Sequence, residues 1–219
     1  MKAAIFDLDG TLLDSAPDII NAANLTLDQN RLPLLAPEVI RGFVGNGIPK
    51  LVERLMRASG LAFEPDRHAG LVAEFVGHYT ASPSRETTLY PNVRLVLEEL
   101  AASGVQMGIC TNKDHALTLR ILADFDLLGL FAAVHGGDSL PVKKPDPAPL
   151  LASIAALSAS RTIYIGDSEV DAATASAAAV PFVLFAHGYR KSPVAEIAHD
   201  YLFDDFHQLP AIVSRALAD

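Results

Sequence analysis

With 219 residues, half of them hydrophobic, the chain has material for one or two ordinary globular domains. Its formal net charge of −9 leaves no basic surplus, which excludes a general nucleic-acid or anionic-membrane binder, and any phosphate handled here must meet individually placed cations. No apolar run reaches membrane-spanning length, no secretory leader is legible, and a single cysteine rules out an internal disulfide framework, so a cytoplasmic protein is expected.

In chain order, Ala3 to Phe6 is apolar throughout, the pattern of a buried parallel strand, and it delivers Asp7, Leu8, Asp9 and Gly10. Side chains alternate along an extended chain, so Asp7 and Asp9 leave on one side and Leu8 on the other. Carboxylates held that close resist joint ionisation and call for a metal cation, a lysine or a retained proton. Ser15, Pro17 and Asp18 then predict a helix over 16–30 with Ser15 as N-cap and a stripe of Ile19, Ala22, Ala23 and Leu27. Helices are predicted over 38–44, 48–58 and 66–79 with no strand between them; in the second, Ile48, Leu51, Val52, Leu55 and Met56 follow helical spacing.

Beyond Tyr90 and Pro91 the pattern changes to alternating elements. Helices are predicted over 92–102, 114–125, 147–157 and 171–178, and strands over 105–110, 132–135, 162–165, 181–185 and 201–203, with a helix at the end. The fold class is therefore α/β: a Rossmann-like parallel sheet core with an inserted all-helical cap domain. The predicted core is 1–14 and 86–219 and the predicted cap 15–85, hinged at 11–15 and 82–88.

Polar motifs fall where strands end or a helix begins: Asp7 and Asp9; Thr111-Asn112-Lys113; Lys143-Lys144-Pro145; and Gly166-Asp167-Ser168. In open parallel sheets ligands bind beyond the carboxyl ends of the strands near a topological switch point, so these segments are expected to converge. In this order, Asp7-Leu8-Asp9-Gly10-Thr11-Leu12, Thr111-Asn112, Lys144-Pro145 and Gly166-Asp167-Ser168 with Asp171 resemble the four motifs of the haloacid dehalogenase-like phosphohydrolase superfamily, over nearly the whole chain.

The resemblance implies Mg²⁺-dependent hydrolysis of a small phosphate monoester through an aspartyl-phosphate. It implies Asp7 as nucleophile and Asp9 as the acid and base. Mg²⁺ would be held by Asp7, the backbone carbonyl of Asp9, and Asp167. Thr111 and the Asn112 backbone N–H would hold phosphoryl oxygens, Lys144 would balance phosphate and Asp7, and Asp171 would either support the site from behind or merely cap its helix. A carboxylate nucleophile is consistent with the chemistry, since it is ionised at neutral pH and needs no activating base.

More narrowly, Phe43-Val44-Gly45-Asn46-Gly47, Gly136-Gly137-Asp138-Ser139-Leu140-Pro141 and Gly188-Tyr189-Arg190 resemble the bacterial phosphoglycolate phosphatases, which implies 2-phosphoglycolate as substrate. Phosphatases of other sugar phosphates share parts of this pattern, and a phosphomutase of the β-phosphoglucomutase type is the alternative of a different class. Asp114 stands where the resemblance leads one to expect proline.

Gly45, Asn46 and Gly47 lead into the amino end of a helix, which carries partial positive charge, with Lys50 one turn inside. The cap is expected to close over the site, with Lys50 or this helix end touching the substrate carboxylate. Cys110 reads as a core residue, and the expected partner is a small phosphorylated metabolite bound by a monomer or homodimer, with no nucleic acid and no membrane.

Overall fold

The computed structural model describes residues 1–218, so the predicted core range 86–219 ends one residue outside the described part. β1 (Lys2–Phe6) leads through a two-residue β2 (Leu13–Asp14) into α1 (Ala16–Gln29), α2 (Pro37–Arg41), α3 (Ile48–Ala58) and α4 (Pro65–Ala81), and the chain returns through β3 (Thr88–Leu89). Helices and strands then alternate as α5 (Val93–Ala102), β4 (Gln106–Cys110), α6 (His115–Asp124), β5 (Ala133–His135), α7 (Ala148–Ala156), β6 (Arg161–Gly166), α8 (Glu169–Ala178) and β7 (Phe182–Phe185), before β8 (Tyr201–Phe203) and α9 (Leu209–Ala216).

The main sheet runs β5-β4-β1-β6-β7-β8, and every pairing in it is parallel. Its residues alternate between two cores. Ala4, Phe6, Ile109, Ile163 and Ile165 pack beneath α5, α6 and α9, while Ala3, Ile5, Cys110 and Tyr164 pack beneath α7 and α8. Burial on both faces explains why these strands read as continuous apolar runs. β1 lies between β4 and β6, so the three strands that end in polar motifs are neighbours at the point where the chain changes direction across the sheet.

The helical insert is held by facing apolar stripes: Ile19, Ala23 and Leu27 of α1, Leu51, Val52 and Leu55 of α3, and Leu71 and Phe75 of α4 are buried in one cluster. Thr26 is buried among them because its hydroxyl donates to the Ala22 carbonyl at 2.8 Å. The helix predicted over 38–44 stops at Arg41, and the chain turns through Gly45 and Gly47, whose φ angles are +109° and +81°. Ser15 does not cap α1 with its side chain; its hydroxyl goes instead to Asp9 Oδ1 at 2.6 Å, and the Ala16 N–H is taken by the Tyr189 phenol at 2.9 Å.

The two crossings between insert and sheet are tied to each other. Leu13 pairs with Leu89 and Asp14 with Thr88 in a short antiparallel ladder. Asp18, 4% exposed, accepts from the Glu86 N–H at 2.9 Å, the Thr87 N–H at 2.8 Å and the Thr87 hydroxyl at 2.7 Å. Asp18→Ala leaves the buried Thr87 N–H without an acceptor and its hydroxyl with only the Pro83 carbonyl at 3.3 Å, and urea unfolding is expected to show a loss of about 2 to 4 kcal/mol.

Candidate active site

Three adjacent strands deliver the acids and donors. Phe6 is in register with Ile109 of β4 and Ile165 of β6, so Asp7, Thr111 and Asp167 emerge together at the carboxyl edge. Asp7, Asp167 and Asp171 are all buried, and their nearest carboxylate oxygens lie within 4.8 Å of one another. Asp7 Oδ1 stands 2.9 Å from Lys144 Nζ but is not aligned as its hydrogen-bond acceptor, so the contact is an ion pair with an unsaturated oxygen.

Lys144 is held from behind. Its ammonium donates to Asp171 Oδ1 at 2.6 Å and to the Tyr164 phenol at 2.8 Å, and that phenol bridges to Asp171 Oδ1 and the Cys110 carbonyl at 2.9 Å each. Asp171 Oδ2 also accepts from the Ser168 hydroxyl at 2.6 Å and, at 3.2 Å, from the Ser168 N–H. The aspartate therefore both caps α8 and anchors the site lysine.

The electrostatics follow from burial. Burial pushes the Asp7 carboxyl up to about 6, against the opposing pull of Lys144 and with the charges of Asp171 and Asp9 adding to the rise. Asp167 is driven well above the usual carboxylate range by burial and then by Asp171 and Asp7. Burial acts the same way on Asp171, but the Lys144 charge and hydrogen bonds outweigh it and leave that group below its ordinary value. Burial pushes the Cys110 thiol up to about 12, consistent with a core residue and not a nucleophile.

Asp7 and Asp167 thus form a buried acidic pair short of positive charge, whereas Asp171 is saturated by Lys144, Tyr164 and Ser168. That donor set suits a hard cation that takes oxygen ligands. Asp167 is fixed by the Thr11 hydroxyl at 2.9 Å on Oδ1 and the Tyr189 N–H at 2.5 Å on Oδ2. Backbone packs so closely on it that a Cβ at Gly188 would collide with its carboxylate, and one at Gly10, where φ is +88°, would sit 2.6 Å from Oδ2.

Thr111 Oγ1 accepts from the Lys113 N–H at 3.3 Å, which leaves its own proton for a ligand. The Asn112 side chain performs work not legible in the sequence. Its Nδ2 donates to the Gly45 carbonyl of the insert and to the Lys144 carbonyl of the core, at 3.0 Å each, while its Oδ1 is buried without a partner among the described residues.

Lys113, to which no role was assigned, is a second buried cation. Its ammonium lies 2.8 and 3.0 Å from the two Asp9 oxygens and 2.6 Å from the Tyr79 phenol of α4. The signal that could have found it is its position directly after Thr111 and Asn112.

Asp7, Asp9, Thr111, Asn112 and Lys113 form the polar wall of a cavity roofed by Ile19, Val44, Leu51, Phe75 and Tyr79, with Gly45, Gly47 and Ile48 at its side. The amino end of α3 therefore reaches the cavity, whereas Lys50 does not line it. The Lys50 ammonium is held by both oxygens of Glu53, at 2.7 and 2.8 Å, on the outer face of α3, and Asn46 Oδ1 is bonded by Arg54 at 2.7 Å. Asp114 replaces the expected proline with a conventional N-cap, accepting from Ala116 and Leu117 N–H groups at the start of α6.

Comparison with known proteins gives a consistent picture. The profile of the haloacid dehalogenase-like hydrolases matches residues 4–185. A phosphoglycolate phosphatase of Cereibacter sphaeroides is 48% identical over 219 residues, covering 100% of both chains. One from Rhodospirillum rubrum is 39% identical over 95% of this chain and 89% of its own. The crystal structure of a protein described as a predicted phosphoglycolate phosphatase, from Haemophilus somnus, superposes with a TM-score of 0.91 at 31% identity, covering 97% of each chain.

Proposed function

The chain belongs to the haloacid dehalogenase-like hydrolases and is a phosphoric monoester hydrolase, and on that premise we propose that it converts 2-phosphoglycolate to glycolate and orthophosphate, with Mg²⁺, through a phosphoryl group carried on Asp7. The observation that carries the reading is the meeting of Asp7, Asp167 and Lys144 beside Thr111 and Asp9, beneath a small apolar roof.

In this reading an Asp7 oxygen bonds to phosphorus while the ester P–O bond breaks, and the electron pair stays on the glycolate oxygen, which takes a proton from Asp9. Water then loses a proton to Asp9 and attacks phosphorus, releasing orthophosphate and restoring Asp7. The Thr111 hydroxyl, the Asn112 N–H and the Lys144 ammonium meet the charge on the transferring oxygens. Asp7, Asp167 and the Asp9 carbonyl would hold Mg²⁺, whose charge neutralises the same oxygens when bound.

Residues 15–85 act as a cap over a core of residues 1–14 and 86–219, and the cap's apolar roof limits the substrate to a small acid. Its carboxylate meets the amino end of α3 at residues 45–48. Lys50 is not needed for this contact: an exposed ion pair contributes little, so Lys50→Ala is expected to change kcat/KM for phosphoglycolate less than about threefold. A tenfold loss would return that lysine to the substrate.

The test of the function is phosphate release over a panel of phosphorylated metabolites, with Mg²⁺ and after chelation. The expected result is the highest kcat/KM for 2-phosphoglycolate and no turnover without the metal. A higher value for a sugar phosphate contradicts the substrate, and an isomerised product without free phosphate contradicts the reaction class.

A further inference from the structure

Among the described residues, Lys113 is the one basic side chain lining the cavity, where it stands between Asp9 of the core and Tyr79 of the roof. The substrate of the proposed reaction brings a second anionic group into that cavity. The amino end of α3 offers this group only fractional charge, and Pro49 lacks one of the first N–H groups there. A full positive charge comes only from the wall that carries Lys113.

The Lys113 ammonium has three N–H donors. Two meet one carboxylate, Asp9, at 2.8 Å on Oδ1 and 3.0 Å on Oδ2, and the third meets the Tyr79 phenol at 2.6 Å. The pair with Asp9 needs one of these contacts, and Oδ1 is the more firmly fixed oxygen because it also accepts from the Ser15 hydroxyl at 2.6 Å. The donor on Oδ2 is therefore the one an incoming anion can take without stripping Lys113 of Asp9 or of Tyr79. An anion touching the ammonium lies closer to it than to Asp9, so attraction exceeds repulsion.

Tyr79 supplies a second donor. Its oxygen accepts from Lys113, which leaves its own proton for a ligand, and burial pushes the phenol up to about 12, so that proton stays in place at neutral pH. The ring is 2% exposed, packs against Phe75 with centroids 5.9 Å apart, and lies 4.8 Å from the Lys113 nitrogen. An N–H from the end of β4 and an O–H from α4 thus stand side by side in one cavity, two donors for the two oxygens of one carboxylate.

We propose that Lys113 and Tyr79 form the subsite for the substrate's carboxylate, beside the amino end of α3, and set the preference for an acid over a neutral phosphate ester. The proposal rests on the reading of the protein as a 2-phosphoglycolate phosphatase and deepens it. Lys113, directly after Thr111 and Asn112, ties the acid end of the substrate to the loop that holds its phosphate, and Tyr79 ties it to the insert.

The test compares two substrates with the same skeleton and the same leaving oxygen, 2-phosphoglycolate and its neutral amide, 2-phosphoglycolamide, each with Mg²⁺. A change that disturbs Asp9, the fold or phosphoryl transfer lowers kcat/KM for both, so the ratio of acid to amide isolates the subsite. In wild-type protein that ratio is expected to be at least about 100. Lys113→Met is expected to bring it below about 3. Tyr79→Phe, which keeps the ring and the ammonium, is expected to lower it roughly 5- to 10-fold.

Urea unfolding establishes that the variants are folded, and if Lys113→Met is not, the ratio in Tyr79→Phe decides alone. An unchanged ratio in either folded variant, however far both rates fall, overturns the proposal and leaves the function reading standing. A wild-type ratio near 1 also overturns it. A wild-type protein that releases no phosphate from 2-phosphoglycolate overturns the function reading and the proposal with it.

Discussion

Asp7→Asn is expected to remove turnover by at least about ten-thousand-fold while leaving the fold intact, because an amide can neither attack phosphorus nor carry the phosphoryl group. The site is arranged so that this loss is chemical and not structural. Lys144 keeps its bonds to Asp171 and Tyr164 when the Asp7 charge is removed, so no buried cation is orphaned. Asp7 is itself uncomfortable where it stands, with its carboxyl raised to about 6 by burial in spite of Lys144. A carboxyl whose folded value lies above its unfolded value costs stability once it is ionised at neutral pH. The metal-free variant is therefore expected to melt at or above the wild-type temperature in a neutral-pH thermal scan. A large fall in melting temperature would mean that Asp7 supports the fold, and activity near wild type would remove it from the chemistry.

Lys144→Met is expected to fail in both respects. The side chain is 2% exposed and its ammonium stands against Asp7, Asp171 and Tyr164, so the substitution buries carboxylates without a counter-charge. Breaking a buried pair in this way costs about 3 to 5 kcal/mol, measurable by urea unfolding. At temperatures where the variant is folded, kcat/KM is expected to fall at least about a thousandfold, because the phosphoryl group and its nucleophile lose their shared cation. The two losses are separable. Lys144→Met with Asp171→Asn removes the most strongly paired carboxylate as well, and is expected to regain part of the stability and none of the activity. Full additivity of the two substitutions in stability would contradict the assigned pairing.

How much of this was legible in the chain depended on how local the signal was. β1, β4 and β6 could be read because the stretches of each strand buried on both faces are apolar, and α3 was placed at both ends by helical spacing and its flanking Gly47. The convergence of Asp7, Thr111 and Asp167 was also foreseeable, since motifs at the ends of parallel strands share an edge of the sheet, whereas Lys144 reaches it from the loop before α7.

Long-range side-chain partners were not. Ser15 carries a strong N-cap signature, yet its hydroxyl is drawn to Asp9, and nothing within the helix start signals that competition. Lys113 reads as an ordinary lysine until Tyr79, 34 residues away, is seen to complete its shell. Asn112 was expected to act through its backbone, and its side chain proves to join Gly45 to Lys144. Lys50 was drawn toward substrate by its place in the first turn of α3, where Glu53, one turn on, claims it first.

The central claim is that phosphate is carried on Asp7, and rapid quenching of wild-type protein mixed with Mg²⁺ and phosphorus-labelled 2-phosphoglycolate, followed by peptide mass spectrometry, tests it most directly. The account predicts a transient, acid-stable and hydroxylamine-sensitive phosphoryl group on the peptide containing Asp7, absent from Asp7→Asn. Label recovered on a different residue, or none recovered while turnover proceeds at its full rate, would contradict it.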